Sequence, residues 1–227
     1  MADHIAFFDV AGTLVTGNPW RMFLAHPGIE PNRRRLALAR ALPLWISAKL
    51  GLIDDGVFRD RWIRSMSAVF RGWERQAIEM LVKDVARMHL DDHIQSEIVS
   101  RLQQHRTKGD HIVLVSGLFQ EWSAAFASLL GAHVGLGSNL DYNADICSGE
   151  IIGQTCVGSR KLDFIKAYLG TNQFPFGLSA CYAYSDSFSD QPMLAAVGNP
   201  VVVFPDSDLR AVAERSGWPI IAGSEQG

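Results

Sequence analysis

Ile5-Ala6-Phe7-Phe8-Asp9-Val10-Ala11-Gly12-Thr13-Leu14 decides the fold. Its first four residues read as a short apolar strand, which ends in a loop that starts at Asp9. Further along, His111-Ile112-Val113-Leu114-Val115-Ser116-Gly117 is a near-continuous apolar run closed by Ser-Gly. That is the pattern of a strand buried on both faces of a parallel sheet. A third strand is expected at residues 181–184, ending at Ser185-Asp186, and a fourth at 201–204. Helices are expected at residues 119–130, 161–169, 191–197 and about 209–216. Strands alternating with helices predict an α/β fold with a doubly wound parallel sheet.

Between the first two strands lies a long helical block, residues 23–90, with apolar residues at mixed three- and four-residue spacing. A further helix, roughly residues 92–108, is expected to stop at Gly109. The block predicts an α-helical cap domain over residues 16–91, inserted into a core formed by residues 1–15 and 92–227. Residues 139–156 read as a small β-hairpin with its turn near Ser148-Gly149. Residues 36–53 are the most apolar stretch. Arg40, Pro43 and Lys49 interrupt it, so it is a poor transmembrane candidate. A buried cap helix is the first expectation, and a helix lying on a membrane surface the second.

The chain has 227 residues, 48% of them hydrophobic and 20% charged, so it can bury a substantial core as one or two domains. Cys147, Cys156 and Cys181 are odd in number and lack C-x-x-C spacing. That argues against a disulfide framework or a zinc site and leads to the expectation of a cytoplasmic protein, as does an N-terminus without the features of a signal peptide. Residues 15–92 hold 13 Lys and Arg against 9 Asp and Glu, whereas the remainder holds 8 against 15. A basic segment beside an acidic one favours an anionic substrate, although solvated helix faces give the same count. Arg33-Arg34-Arg35 is too short a run to imply nucleic acid.

In a parallel sheet, ligands bind beyond the carboxyl ends of the strands. Asp9, Ser116 and Asp186 each fall at such an end. With these residues, FFDVAGTL, LVSG, the lysine of GSRKLDF and YAYSDSFSDQPML form an ordered set of four motifs, followed by GNPVVVFPDSDLRAVAERSGWP. Over residues 5–219 the chain resembles the haloacid dehalogenase-like (HAD) superfamily, specifically its phosphoserine phosphatase-like subfamily (HAD-IB type). The fourth motif is the most specific. The resemblance implies a Rossmann-like core with a type C1 cap.

The resemblance also implies roles. Asp9 would attack phosphorus and form an aspartyl-phosphate, splitting one hard step into two. A carboxylate and a phosphate repel, so a cation must sit between them. Mg²⁺ suits this position, with the Asp9 and Asp186 side chains and the Ala11 backbone carbonyl as ligands. Ser116 and the Gly117 amide would hold phosphate oxygens. Lys161 would neutralise the charge on the transferring group and on Asp9. Asp190 would tether Lys161 or a metal-bound water. Thr13 is expected to fix the loop by bonding backbone, with a contact to phosphate as the alternative. The FRDRWIR segment, residues 58–64, lies where the subfamily carries a cap arginine, which makes Arg61 the first choice for a substrate contact, ahead of Trp20 and Arg21. Phe70, Trp62 and Trp73 are expected in the cap core.

One position departs from the family pattern. The phosphatases carry a second Asp where this chain has Ala11; that Asp protonates the leaving alcohol and then deprotonates the attacking water. Three readings follow. The chain is a Mg²⁺-dependent phosphomonoester phosphatase, impaired or substrate-trapping because Ala11 lacks the general acid/base. Alternatively it is a C–P bond hydrolase of the phosphonoacetaldehyde hydrolase type, whose Asp-x-Ala-Gly-Thr motif it shares, with a Schiff base on Lys49. Burial of Lys49 would lower its pKa for that role. The third reading is a catalytically silent binding protein on the same scaffold. The expected partner is a small organic phosphate, large or apolar for its class if the greasy 36–53 segment faces it. Stable membrane insertion is not expected, and monomer and homodimer both stay open.

Overall fold

The computed structural model describes residues 4–222. The chain opens with β1 (Ile5–Phe8), then passes through four helices, α1 (Pro19–Ala25), α2 (Pro31–Lys49), α3 (Asp55–Ser67) and α4 (Arg75–His93), with a 3₁₀ turn at Ala68–Phe70. It continues as α5 (Ser96–Thr107), β2 (His111–Phe119), α6 (Gln120–Leu130), β3 (Val134–Ser138), β4 (Leu140–Asn143) and β5 (Ile146–Ile151). The last part alternates α7 (Arg160–Asn172), β6 (Tyr182–Ser185), α8 (Gln191–Ala196), β7 (Asn199–Val203), α9 (Ser207–Ser216) and β8 (Ile220–Ile221).

Six strands form one sheet in the order β3-β2-β1-β6-β7-β8, with every pairing parallel. β1 lies in the interior, with Phe8 opposite Leu114 on one side and Tyr184 on the other. Side chains alternate between faces along each strand, and both faces are apolar. Ala6, Phe8, Ile112 and Leu114 pack with Trp122 and Phe126 of α6 and Ile98 and Leu102 of α5. Ile5, Phe7 and Val113 pack with Ile165 of α7, Met193 and Leu194 of α8 and Leu209 and Ala213 of α9. The expected α/β layering is therefore present. From β1 the chain builds outward through β2 and β3, then returns to β6 on the other flank of β1. The strand order reverses there, and in open α/β sheets that crevice binds ligands.

Three local expectations are corrected. β2 does not close at Ser116-Gly117 but runs on to Phe119, with a register shift against β3 between Val115 and Phe119. The hairpin turn sits at Ala144-Asp145, not at Ser148-Gly149. Ala144 and Asp145 take φ of 48° and 66°, as a two-residue hairpin requires, and no Asn-Gly or Asp-Gly pair signals it. Residues 36–53 do not form a buried helix: α2 buries Ala37 and Ala41 but exposes Leu36, Leu38, Leu42, Trp45 and Ile46. Sequence alone could not separate the two cases, because an apolar helix reads the same whether or not something covers it.

The helical insert is tied to the sheet by aromatic packing and by one polar clasp. Trp20 of α1 meets Phe119 and Trp122 edge-on at 5.1 and 5.3 Å, and Phe23 meets Phe70 at 5.4 Å. Phe70 is fully buried, with Trp62 and Trp73 packed against the same core, as expected. The clasp is Asp60 of α3, whose Oδ1 accepts from the Thr155 hydroxyl at 2.7 Å and from Arg160 at 2.9 Å. Burial opposes ionisation of Asp60, but the Thr155 bond and the Arg64 and Arg160 guanidiniums hold its carboxyl below the usual range.

Two glycines give a test of this packing. A Cβ on Gly135 would lie 2.2 Å from the Ser123 carbonyl oxygen, whereas one on Gly170, inside α7, would meet nothing within 4 Å. Gly135→Ala is expected to cost about 1–3 kcal/mol by forcing β3 away from α6. Gly170→Ala is expected to gain roughly 0.5–1 kcal/mol by restricting the unfolded chain. Chemical denaturation of the two variants checks both signs.

Candidate active site

The polar groups collect where the strand order reverses. The Asp9 amide donates to the Tyr184 carbonyl at 3.0 Å, which extends the β1–β6 pairing by one step and fixes the Asp9 backbone before the loop departs. The loop then folds back tightly. Leu14 and Val15 amides donate to the Val10 carbonyl, and the Gly12 amide donates to Val15. Gly12 takes φ of +94°, and a Cβ there would lie 2.0 Å from Asp186 Oδ2. Glycine therefore serves two needs at once: a left-handed backbone and the close approach of a carboxylate from β6.

Asp9 is almost fully buried, and its Oδ1 accepts from Lys161 Nζ at 2.6 Å. The same ammonium donates to Asp190 Oδ2 at 2.6 Å, and the Ser185 hydroxyl donates to that oxygen at 2.6 Å. Asp186 Oδ1 accepts from the Thr13 hydroxyl at 2.9 Å. Asp9, Lys161, Asp186 and Asp190, from three separate segments, thus meet at one sheet edge. Oδ2 of Asp9 has no donor among the described residues.

Three carboxylates here face one ammonium. Burial pushes the Asp9 carboxyl up to about 7; Lys161 opposes the shift, while Asp190 and Asp186 add to it. Burial likewise raises Asp186 against the Thr13 hydrogen bond. For Lys161 burial works against the charge, yet Asp190 and Asp9 hold its ammonium above the ordinary amine range. The nearby Cys156 thiol is pushed up to about 12 by burial and stays protonated.

An excess of buried oxygen charge suits a hard cation. Among the described residues no three acidic, His or Cys side chains form a complete cage. The available donors are two carboxylates, Asp9 and Asp186, and the Ala11 carbonyl, which has no hydrogen-bond donor among the described residues. That set fits Mg²⁺, which takes oxygen ligands and keeps several waters.

Ser116 is buried near the end of β2, and its hydroxyl has no hydrogen-bond partner among the described residues. Next to it, a Cβ on Gly117 would come within 3.1 Å of Val157 Cγ1 and 3.9 Å of Ile63 Cδ1, so α3 lies directly over this point. Arg61 is different. It is exposed and lines a groove with Arg40, Arg64 and Arg71 in which none of the four clustered residues takes part. Lys49 is exposed, with its ammonium 4.1 Å from the Trp45 ring centre. The burial expected of it is absent, because α2 turns its C-terminal end to solvent.

Three contacts escaped the sequence reading. Gln95, at the cap of α5, donates to the Gly12 and Thr13 carbonyls at 2.6 and 3.0 Å and so sets the loop. Ser185 holds Asp190. Thr13 does hold the loop, but its hydroxyl donates to the Asp186 side chain, where a bond to backbone was expected. Thr13, in the first motif, and Ser185, at a strand end, carried a sequence signal; Gln95 carried none.

The profile of the haloacid dehalogenase-like hydrolases matches residues 6–195. The chain is 32% identical over 218 residues to the "Inhibition of morphological differentiation protein" of Streptomyces azureus, covering 95% of this chain and 77% of that protein. It is 29% identical over 222 residues to the phosphoserine phosphatase SerB1 of Mycobacterium tuberculosis, covering 95% and 69%. Among solved structures, a protein of unknown function from Bordetella pertussis Tohama I superposes with a TM-score of 0.80 at 22% identity, covering 97% of this chain and 99% of the other. With residues 6–195 matching its family model, the chain belongs to the haloacid dehalogenase-like hydrolase family.

Proposed function

We propose that this chain is a Mg²⁺-dependent phosphomonoester phosphatase that works through an aspartyl-phosphate on Asp9 and is slowed by Ala11. One observation carries the reading: the buried Lys161 ammonium bridges Asp9 and Asp190 at 2.6 Å each, beside Asp186. This arrangement holds one Asp9 oxygen in place and leaves Oδ2 for attack. Relatives named as phosphatases support it.

Asp9 Oδ2 forms the new bond to phosphorus as the ester P–O bond breaks, and the leaving alkoxide takes its proton from water. A second water then attacks phosphorus and releases inorganic phosphate, regenerating the carboxylate. Lys161 offsets the negative charge spread over the transferring group, and Ser116 and Gly117 hold its oxygens. A bound Mg²⁺ would screen Asp9 from the phosphate. Ala11 supplies its carbonyl but has no proton to give or take, so both halves of the reaction run without a positioned acid/base. Residues 16–91 act as the cap, with α3 over Gly117. Arg61 enters as a substrate contact only if the groove it lines opens towards the site. A catalytically silent protein is the second reading, favoured by Ala11 alone. The Schiff-base route loses its support with Lys49 exposed.

Ala11→Asp is expected to raise turnover by about 10²–10⁴-fold, the usual worth of general acid–base help. Phosphate release from a panel of amino-acid, sugar and lipid phosphates measures it, with Asp9→Asn as the inactive control. Absence of both turnover and phosphoenzyme in the native and Ala11→Asp forms would instead mark a silent scaffold.

Metal binding has its own pH signature. Asp9 binds a proton more tightly in the fold, at about 7, than in the open chain at 3.8, so the metal-free protein loses stability as pH climbs between those values. Mg²⁺ must displace that proton. Its apparent affinity is expected to weaken by up to about tenfold per pH unit below 7 and to flatten above it, read by titration calorimetry at pH 6 and 8. Equal affinity at both values would mean that metal binding displaces no proton from Asp9 in this range.

A further inference from the structure

Helix α2 carries apolar side chains on two adjoining faces. One face buries Ala37 and Ala41 against α3. On the other, Leu38, Leu42, Trp45 and Ile46 follow the spacing of one helical stripe and are 43–55% exposed. Beyond the helix end, Leu50 and Leu52 extend the apolar surface at 67% and 72%. Among the described residues nothing covers this stripe, which is larger than the scattered apolar side chains usual on a surface.

Charge is equally one-sided. Residues 31–53 contain Arg33, Arg34, Arg35, Arg40 and Lys49 and no acidic residue. Arg33 and Arg34 are committed to the carbonyls of Val69, Arg71 and Leu24. Arg35 and Arg40 have no partner among the described residues, and the Lys49 ammonium rests on Trp45. Beside α2, a groove of about 500 Å³ is lined by Arg40, Arg61, Arg64 and Arg71, with Glu150 its one acid. An apolar stripe edged by cations, with an aromatic ring among them, matches the surface of an anionic bilayer.

We propose that α2 is an interfacial anchor that lies in the headgroup layer of an anionic membrane. Leu38, Leu42, Trp45 and Ile46 reach the acyl boundary, while Arg35 and Lys49, on the same side of the helix, extend to lipid phosphates. None of the described helices is long and apolar enough to cross a bilayer, so the helix lies on the membrane and does not span it. A second copy of the chain is a poorer occupant, because a two-fold contact through α2 would set these cations against one another with no acid in the stripe.

Co-sedimentation of the full chain with vesicles tests this. Binding is expected to vesicles of phosphatidylcholine with about one-third phosphatidylserine, and to be at least about tenfold weaker with phosphatidylcholine alone or in high salt. Leu42→Glu/Ile46→Glu, at exposed positions, should abolish it with an unchanged circular dichroism spectrum. Arg35→Gln/Lys49→Gln should weaken it by about tenfold or more. Failure to bind either vesicle, or equal binding by the variants, overturns the proposal. So does a concentration-dependent dimer, seen by sedimentation velocity, that Leu42→Glu/Ile46→Glu dissolves without any lipid binding.

Discussion

The Lys161 ammonium, buried between Asp9 and Asp190, is the contact on which the rest of the site depends. Without it, three carboxylates would crowd one dry sheet edge with no fixed cation. Removing one partner of such a buried set costs roughly 3–5 kcal/mol, because the charge left behind has no water to solvate it. The lysine fixes geometry as well. It joins the end of β1, the start of α7 and the turn after β6, and so holds three segments in register over more than 150 positions of sequence.

The sheet makes this convergence inevitable once it forms. β1 sits between β2 and β6, so whatever follows β1 and β6 emerges side by side where the strand order reverses. Gly12 then lets the Asp186 carboxylate pack against the loop, and Thr13 and Gln95 lock that loop from both sides. Above this edge the helical insert is held by the Asp60 clasp to Thr155 and Arg160, one residue before Lys161. The helical insert and Lys161 are thereby mechanically linked.

Ala11 leaves this frame intact: the Val10 carbonyl accepts from Leu14 and Val15, and the Ala11 carbonyl has no donor among the described residues. On the proposed mechanism the chain keeps the groups that bind and attack a phosphate, and Ala11 removes the one that moves protons for the leaving group and the water. The apolar stripe of α2 lies on a different element from that cluster.

The sequence determined the sheet and the identity of the clustered residues. Continuous apolar runs at residues 5–8 and 112–115 point to strands buried on both faces, and polar residues at their ends must then share one edge. It also showed Ala11, since a side chain is read directly. Only the tertiary structure decided which donor meets which acceptor. Thr13 reaches Asp186 from 173 positions away, Gln95 holds Gly12, and Asp60 meets Arg160; none of these pairings leaves a local pattern. It likewise decided the surroundings of α2, Lys49 and Arg61. Composition records that a side chain is apolar or charged, but whether a neighbour covers it depends on contacts between segments distant in the chain.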